Sequence, residues 1–306
     1  MIHHGRGGWL FLTGGSNQVL RFYVEPDAFP DALVENWLER FRARTEKCAG
    51  MGVEYFHLVA PEKLTIYPEY YDGDLPFIEQ VPSLRLARAA AKDGSVVNVV
   101  DYFRNQKRDY QLYWKTDTHW TFHGCFCAYQ MLCSRLGIPP NDAITQGIQR
   151  GGNIVLDLGA KMEPPVKEQF VMVEFLRHAR RVDANAMVIY KEQNHLENDA
   201  GLHVGSNVVF VNDNPLAIDK RVVLFGDSFS EYRPHLLTGM LAETFRELHF
   251  VWSTNLDWNY IERVRPDIVL SEASERFMGQ VPTDRFDLNG YVAERLAAAT
   301  SAEGAS

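Results

Sequence analysis

The sequence predicts an α/β fold, a parallel sheet flanked by helices with an antiparallel insertion. Three observations carry this. Apolar strand-like runs alternate with segments of helical periodicity at both ends of the chain. Val222-Val223-Leu224-Phe225 is an unbroken apolar run, the pattern of a strand buried on both faces. Between about Gly151 and Asn214 the helical rhythm stops, and short strand-like runs are separated by polar turns.

Taken in order, Gly8 to Leu12 reads as a short strand, closed by Gly14-Gly15-Ser16-Asn17. Asp31 is placed to cap a helix reaching about Gly50, with Leu33, Val34, Trp37, Leu38 and Phe41 at helical spacing. Val53 to Val59 is a strand, Leu84 to Lys92 a helix and Val96 to Val100 a strand. In the insertion, Phe170 to Phe175, Ala186 to Tyr190 and Val208 to Val211 read as strands. The α/β order resumes with Arg221 to Phe225, a helix from about Phe229, then strands at His249 to Trp252 and Asp267 to Ser271. Residues 1–296 are expected to form one domain, with about 150–214 as its β-rich insertion. The small polar tail 297–306 is expected to fray.

The 306 residues, 46% hydrophobic and 23% charged, suffice for a sizeable core. A net charge of −9 argues against a nucleic-acid partner, because affinity for phosphate backbones rests on clustered Lys and Arg. Cys125, Cys127 and Cys133 crowd one predicted helix. Positions two apart point to different faces, so with Cys48 they read as core cysteines and not as a metal site. No run approaches the ~18–20 apolar residues of a membrane span. The start, Met1 to Leu12, lacks a secretory pattern. The chain as written is expected in the cytoplasm, or in the periplasm if a signal precedes it.

Gly226-Asp227-Ser228-Phe229-Ser230 follows the buried run Val222–Phe225 at once. A serine there lies at the carboxyl edge of the sheet, where open α/β folds place their ligands. A following helix would offer free N–H groups to a developing oxyanion. The plainer alternative is that Asp227 or Ser228 merely caps that helix. Serine also needs a base at neutral pH, and Thr116-Asp117-Thr118-His119-Trp120-Thr121 offers one. Two residues apart in a turn, Asp117 can meet the His119 imidazole, fix its tautomer and stabilise its cation. Here the plainer alternative is a surface turn with Asp117 as a cap. His123 reads as structural, and the other histidines receive no role.

Together these motifs resemble the SGNH-hydrolase-like domain of the alginate O-acetyltransferase family (AlgX and AlgJ type). The resemblance runs in order through Gly8–Leu12, Pro61–Pro68 with its Glu62-Lys63, Thr116–Thr121, Leu156-Asp157-Leu158-Gly159 and Gly226–Ser230. It ends at Arg265–Leu270 with Glu272 and Glu275-Arg276. It implies an SGNH-hydrolase-like fold and Asp117, His119 and Ser228 as the catalytic triad, with the D-x-H preceding the serine. It further implies transfer of an acetyl group to a polysaccharide or sugar hydroxyl through an acyl-serine. The acetyl donor is a co-substrate, with no tightly bound cofactor and no metal. Partners implied are a carbohydrate acceptor and a membrane acyltransferase or polysaccharide-synthesis complex. SGNH enzymes add an asparagine to the oxyanion hole, and Asn255 is the candidate for it.

Three other readings remain open. A carbohydrate acetylesterase would use the same residues, with water in place of the sugar. A non-catalytic glycan-binding or scaffold protein could keep the fold. A metallophosphoesterase would share Asp117-x-His119 and Gly226-Asp227, but it needs a Gly-Asn-His that this chain lacks.

Overall fold

A computed structural model describes residues 1–303 apart from Ser16 and Pro234. Its strands are β1 (Ile2–His4), β2 (Leu10–Leu12), β3 (Glu54–Ala60), β4 (Val96–Val97), β5 (Ile148–Val155) and β6 (Lys167–Glu174). They continue with β7 (Ala179–Ala184), β8 (Asn207–Asn212), β9 (Ile218–Gly226), β10 (Phe245–Trp252) and β11 (Ile268–Ser274). Seven form the main sheet in the order β4-β3-β11-β9-β10-β8-β7. The five from β4 to β10 run parallel, and β8 and β7 extend that edge antiparallel.

Strand β9 lies at the centre of the sheet, and its apolar run is buried on both faces. Val222 and Leu224 join the core cluster that holds Trp37, Phe41 and Trp120. Val223 and Phe225 point the other way, to a cluster with Tyr260, Ile261 and Leu288. Helices Asp31–Gly50 and Phe122–Leu136 cover the first face, and helices Trp258–Val264 and Leu288–Glu303 cover the second. All four cysteines are buried thiols. No helix of the described residues is long and apolar enough to cross a membrane.

Several local expectations need correction. Gly8–Leu12 contributes no strand to the main sheet: β2 pairs only with β1, in a separate antiparallel ribbon. Its Trp9 packs instead against Tyr67 and Tyr70. The segment Ala186–Tyr190 is helical, within Ala186–Gln193, because Asn185 accepts from the Val188 amide as a cap. A short apolar run does not distinguish helix from strand, and here the cap decides. Only Val96–Val97 pair as a strand; Asn98 accepts from the Val100 amide and a helix starts there. Asp31 is the first residue of its helix, not its cap, and instead pairs with Arg85. No helix starts at Phe229. Asp227 accepts from the Phe229 amide and closes a turn, and the next helix is Leu237–Ala242.

The insertion divides into two parts. β5 and β6 make a two-stranded antiparallel hairpin, whereas β7 and β8 belong to the main sheet. The supposed tail is helical as far as Glu303, since Ala297-Ala298-Ala299 are the strongest of helix formers. The rest of it, 304–306, lies outside the described residues.

Candidate active site

The carboxyl ends of β3, β9 and β11 meet on one edge of the sheet, the expected ligand edge of a parallel α/β fold. β9 ends at Gly226 and delivers Ser228 two residues on. A Cβ on Gly226 would lie 2.8 Å from the Ser230 Cβ and 3.1 Å from Glu272 Oε2, so only glycine lets the turn close. Asp227 stitches the turn from inside: its carboxylate accepts from the amides of Phe229 (2.9 Å) and Ser274 (2.7 Å). Glu272 accepts from the Asp227 amide and the Ser230 hydroxyl. The Ser228 amide makes no hydrogen bond to a described residue.

The Asp117–His119 turn is held from four directions. Tyr113 and Trp120 bridge its two ends. Thr121 caps the helix Phe122–Leu136 by accepting from the Gly124 amide, and Gly124 sits so close to Leu112 that a Cβ would lie 2.2 Å from its carbonyl. Lys63, buried just past β3, donates to the carbonyls of Trp114 (3.0 Å), Lys115 (2.9 Å) and Asp117 (2.6 Å). From the hairpin, Glu168 accepts from the amides of Lys115 and Thr116, and Asp157 accepts from the Thr118 hydroxyl.

These supports bring three of the predicted residues into a hydrogen-bonded line. The Ser228 hydroxyl donates to His119 Nε2 at 2.8 Å, and His119 Nδ1 donates to Asp117 Oδ1 at 2.7 Å. Asp117 also accepts from the His119 amide, which locks the carboxylate beneath the ring. The ring of Phe229, next to the serine, packs 4.9 Å from the imidazole and 4.9 Å from Trp120.

Burial drives Asp117 toward its neutral form, but the His119 charge and hydrogen bonds outweigh it and hold the carboxyl well below the usual range. Burial lowers the His119 affinity for its proton, yet the Asp117 charge and hydrogen bond, with Asp157 behind, raise it above the ordinary value. Burial pulls Lys63 down to about 7, with the surrounding carboxylates recovering part of the loss.

Asn255 does not join this line. Its side-chain oxygen accepts from the amides of Thr283 and Asp284, holding that turn, and it borders a separate cavity. Sequence alone assigns no role to Lys63, Asp157, Glu168 or Glu272. Of these, Lys63, Asp157 and Glu272 lay in the motifs quoted above, whereas Glu168 carried no signal. Asp117, His119 and Asp157 place potential metal ligands within 4.8 Å of one another. Both imidazole nitrogens are already engaged, so a cation there would have to displace Asp117 or Ser228 from the ring.

An acid-held histidine on a serine at the sheet edge is an arrangement that recurs on unrelated folds, so comparison with known proteins has to place it. Residues 2–146 match the family described as SGNH hydrolase-like domain, acetyltransferase AlgX. That stretch contains Asp117 and His119, and Ser228 lies beyond it. Among solved structures, the O-acetyltransferase domain of Pseudomonas putida AlgJ is 18% identical, with a TM-score of 0.60 over 96% of this chain and 98% of that one. Bacillus cereus PatB1 is 15% identical, with a TM-score of 0.61 over 92% and 98%. Pseudomonas aeruginosa AlgX is 14% identical, with a TM-score of 0.57 over 95% of this chain and 65% of that one. At these identities the structural likeness is one of fold. No curated protein matches the sequence.

Proposed function

We propose that the protein is a serine-dependent O-acetyltransferase, with Ser228 as nucleophile, His119 as general base and Asp117 as the residue orienting the imidazole. The observation that carries this reading is the 2.8 Å contact between Ser228 Oγ and His119 Nε2, with Asp117 on the opposite nitrogen. His119 takes the serine proton as Oγ attacks the acetyl carbonyl of a donor co-substrate. It then returns that proton to the leaving group. An acceptor hydroxyl gives its own proton to His119, attacks the acetyl-serine and leaves with the acetyl group, restoring the Ser228 hydroxyl. The Ser228 amide is a free donor for the oxyanion in both halves.

The family match over residues 2–146 favours a sugar hydroxyl over water as acceptor. The cavity over Ser228 supports it: about 720 Å³, large enough for a sugar, with Trp114, Phe170 and Trp252 among its walls. Hydrolysis of p-nitrophenyl acetate by wild type, Ser228→Ala and His119→Ala, with and without chelator, tests the chemistry. Chelator-resistant turnover that vanishes in both variants is expected. Undiminished turnover in Ser228→Ala refutes the assignment, and loss to chelator points to the Asp117–His119–Asp157 group as a metal site.

A further inference from the structure

The cavity over Ser228 has a larger neighbour. A second cavity of about 950 Å³ lies between the helix Phe122–Leu136 and the β5–β6 hairpin. Trp114, Phe122, Val171 and Val173 border both, so the two cavities adjoin across these side chains. Nothing in the Ser228 chemistry requires it.

Its walls combine flat rings with uncommitted amides. Tyr110 stacks on His123 at 4.7 Å, and Trp114 packs on Phe170 at 4.9 Å, leaving broad apolar surfaces beside the opening. The amides of Gln106, Gln149 and Gln169 border the same space, and their side chains make no hydrogen bond to a described residue. Each offers two N–H donors and a carbonyl acceptor, the complement of a hydroxyl that both donates and accepts. Rings for the C–H faces and amides for the hydroxyls make a surface suited to pyranose units.

The charges select among glycans. The lysine of this cavity, Lys115, donates to the Gly7 carbonyl, and the acids Asp109 and Glu168 outnumber it. Over Ser228 the arginine, Arg233, is paired with Glu231 at 2.7 Å, beside Asp117 and Asp157. Burial lowers the proton affinity of His123, and holds those of His203 and His235 near 4, so none supplies a cation at neutral pH. A polyuronate crossing either cavity would meet more acidic than Lys and Arg side chains among the lining residues. Lys107 and Arg108 border a smaller third cavity beyond Tyr110, and Lys107 is paired with Glu69.

We infer that the 950 Å³ cavity is a distal acceptor subsite that binds an uncharged glycan chain whose reacting residue lies at Ser228. This inference rests on the acetyltransferase reading for its purpose, though not for its test. Calorimetry on Ser228→Ala protein removes the chemistry and reads binding alone. The ligands are dimers and hexamers of glucose, mannose and N-acetylglucosamine, beside uronate hexamers.

At least one neutral hexamer is expected to bind tenfold or more tightly than its own dimer and than any uronate hexamer. Tyr110→Ala and Gln149→Ala, added singly, are each expected to weaken that hexamer about tenfold, or about 1.4 kcal/mol. Circular dichroism and thermal melting establish that both variants are folded. Tighter uronate binding, affinity independent of length, no neutral hexamer bound at millimolar concentration, or indifference to both substitutions overturns the subsite. Failure of the serine assignment would appear separately, as ester turnover surviving in Ser228→Ala.

Discussion

The Lys63 ammonium donates a 2.6 Å hydrogen bond to the carbonyl of Asp117, tying the exit of β3 to the turn that carries the histidine. The same group reaches the carbonyls of Trp114 and Lys115, so all three of its protons are committed within one buried socket. Lys63 therefore acts as a brace for the imidazole, at a distance from the reacting atoms.

Replacing Lys63 by Met leaves the carbonyls of Trp114 and Asp117 without a donor, whereas that of Lys115 keeps the Leu10 amide. Each unsatisfied buried group costs about 1–3 kcal/mol, partly offset because an ammonium no longer has to be buried. A net loss of about 2 kcal/mol in urea denaturation is expected. A misplaced imidazole should lower kcat/KM for p-nitrophenyl acetate about a hundredfold. A destabilised variant with wild-type kcat/KM would confine Lys63 to a structural role.

The Asp117 charge raises the proton affinity of His119, and only the neutral imidazole can accept the serine proton. The acid limb of the pH–kcat/KM profile should therefore have its midpoint above 6.5, the ordinary histidine value. Asp117→Asn removes the group that raises it, so the midpoint should move to lower pH while the plateau falls about ten-thousandfold. An unmoved midpoint in that variant would detach Asp117 from His119.

Burial and the neighbouring Asp227 carboxylate push the Glu272 proton affinity well above the carboxylate range, keeping this acid neutral in the fold. The folded state thus holds a proton that the unfolded chain releases above its ordinary value of about 4.5. Stability from this group is complete below that pH and declines as pH rises toward the folded value. Glu272→Gln stays uncharged throughout. Its melting temperature relative to wild type should therefore improve steadily between pH 5 and pH 8, and a pH-independent difference would show Glu272 to be ionised in the fold.

Gly226→Ala places a methyl 2.8 Å from the Ser230 Cβ, inside a turn already closed by Asp227 and Glu272. Overpacking of this kind costs about 1–3 kcal/mol. The displaced turn should carry Ser228 away from His119, so ester turnover should fall more than stability does. Full turnover in a stably folded variant would show that the turn tolerates the shift.

The central strand was legible because Val222–Phe225 is apolar at every position, which only a strand buried on both faces requires. Ser228 followed from the turn after that strand. Its partners were legible as a two-residue spacing, Asp117 to His119, although the meeting of the two segments came from the family resemblance and not from spacing. Misreadings fell where a polar side chain settled the backbone. Asn185 turned an apolar run into a helix, and Asp227 replaced an expected helix start with a stitched turn. The braces were illegible for a further reason. Glu168 reaches Thr116 from a hairpin far along the chain, and no local pattern announces such a contact. Asn255 has the expected place after β10, but its side-chain oxygen accepts from the amides of the 283–284 turn.

In the proposed cycle Ser228 carries the acetyl group between donor and acceptor. Brief incubation with p-nitrophenyl acetate, acid quench and peptide mass spectrometry reads this directly. One acetyl group is expected on the peptide containing Ser228, present in wild type, absent in Ser228→Ala and discharged when a competent sugar acceptor is added before the quench. Rapid turnover with Ser228 unmodified and the acetyl group on another side chain would contradict it.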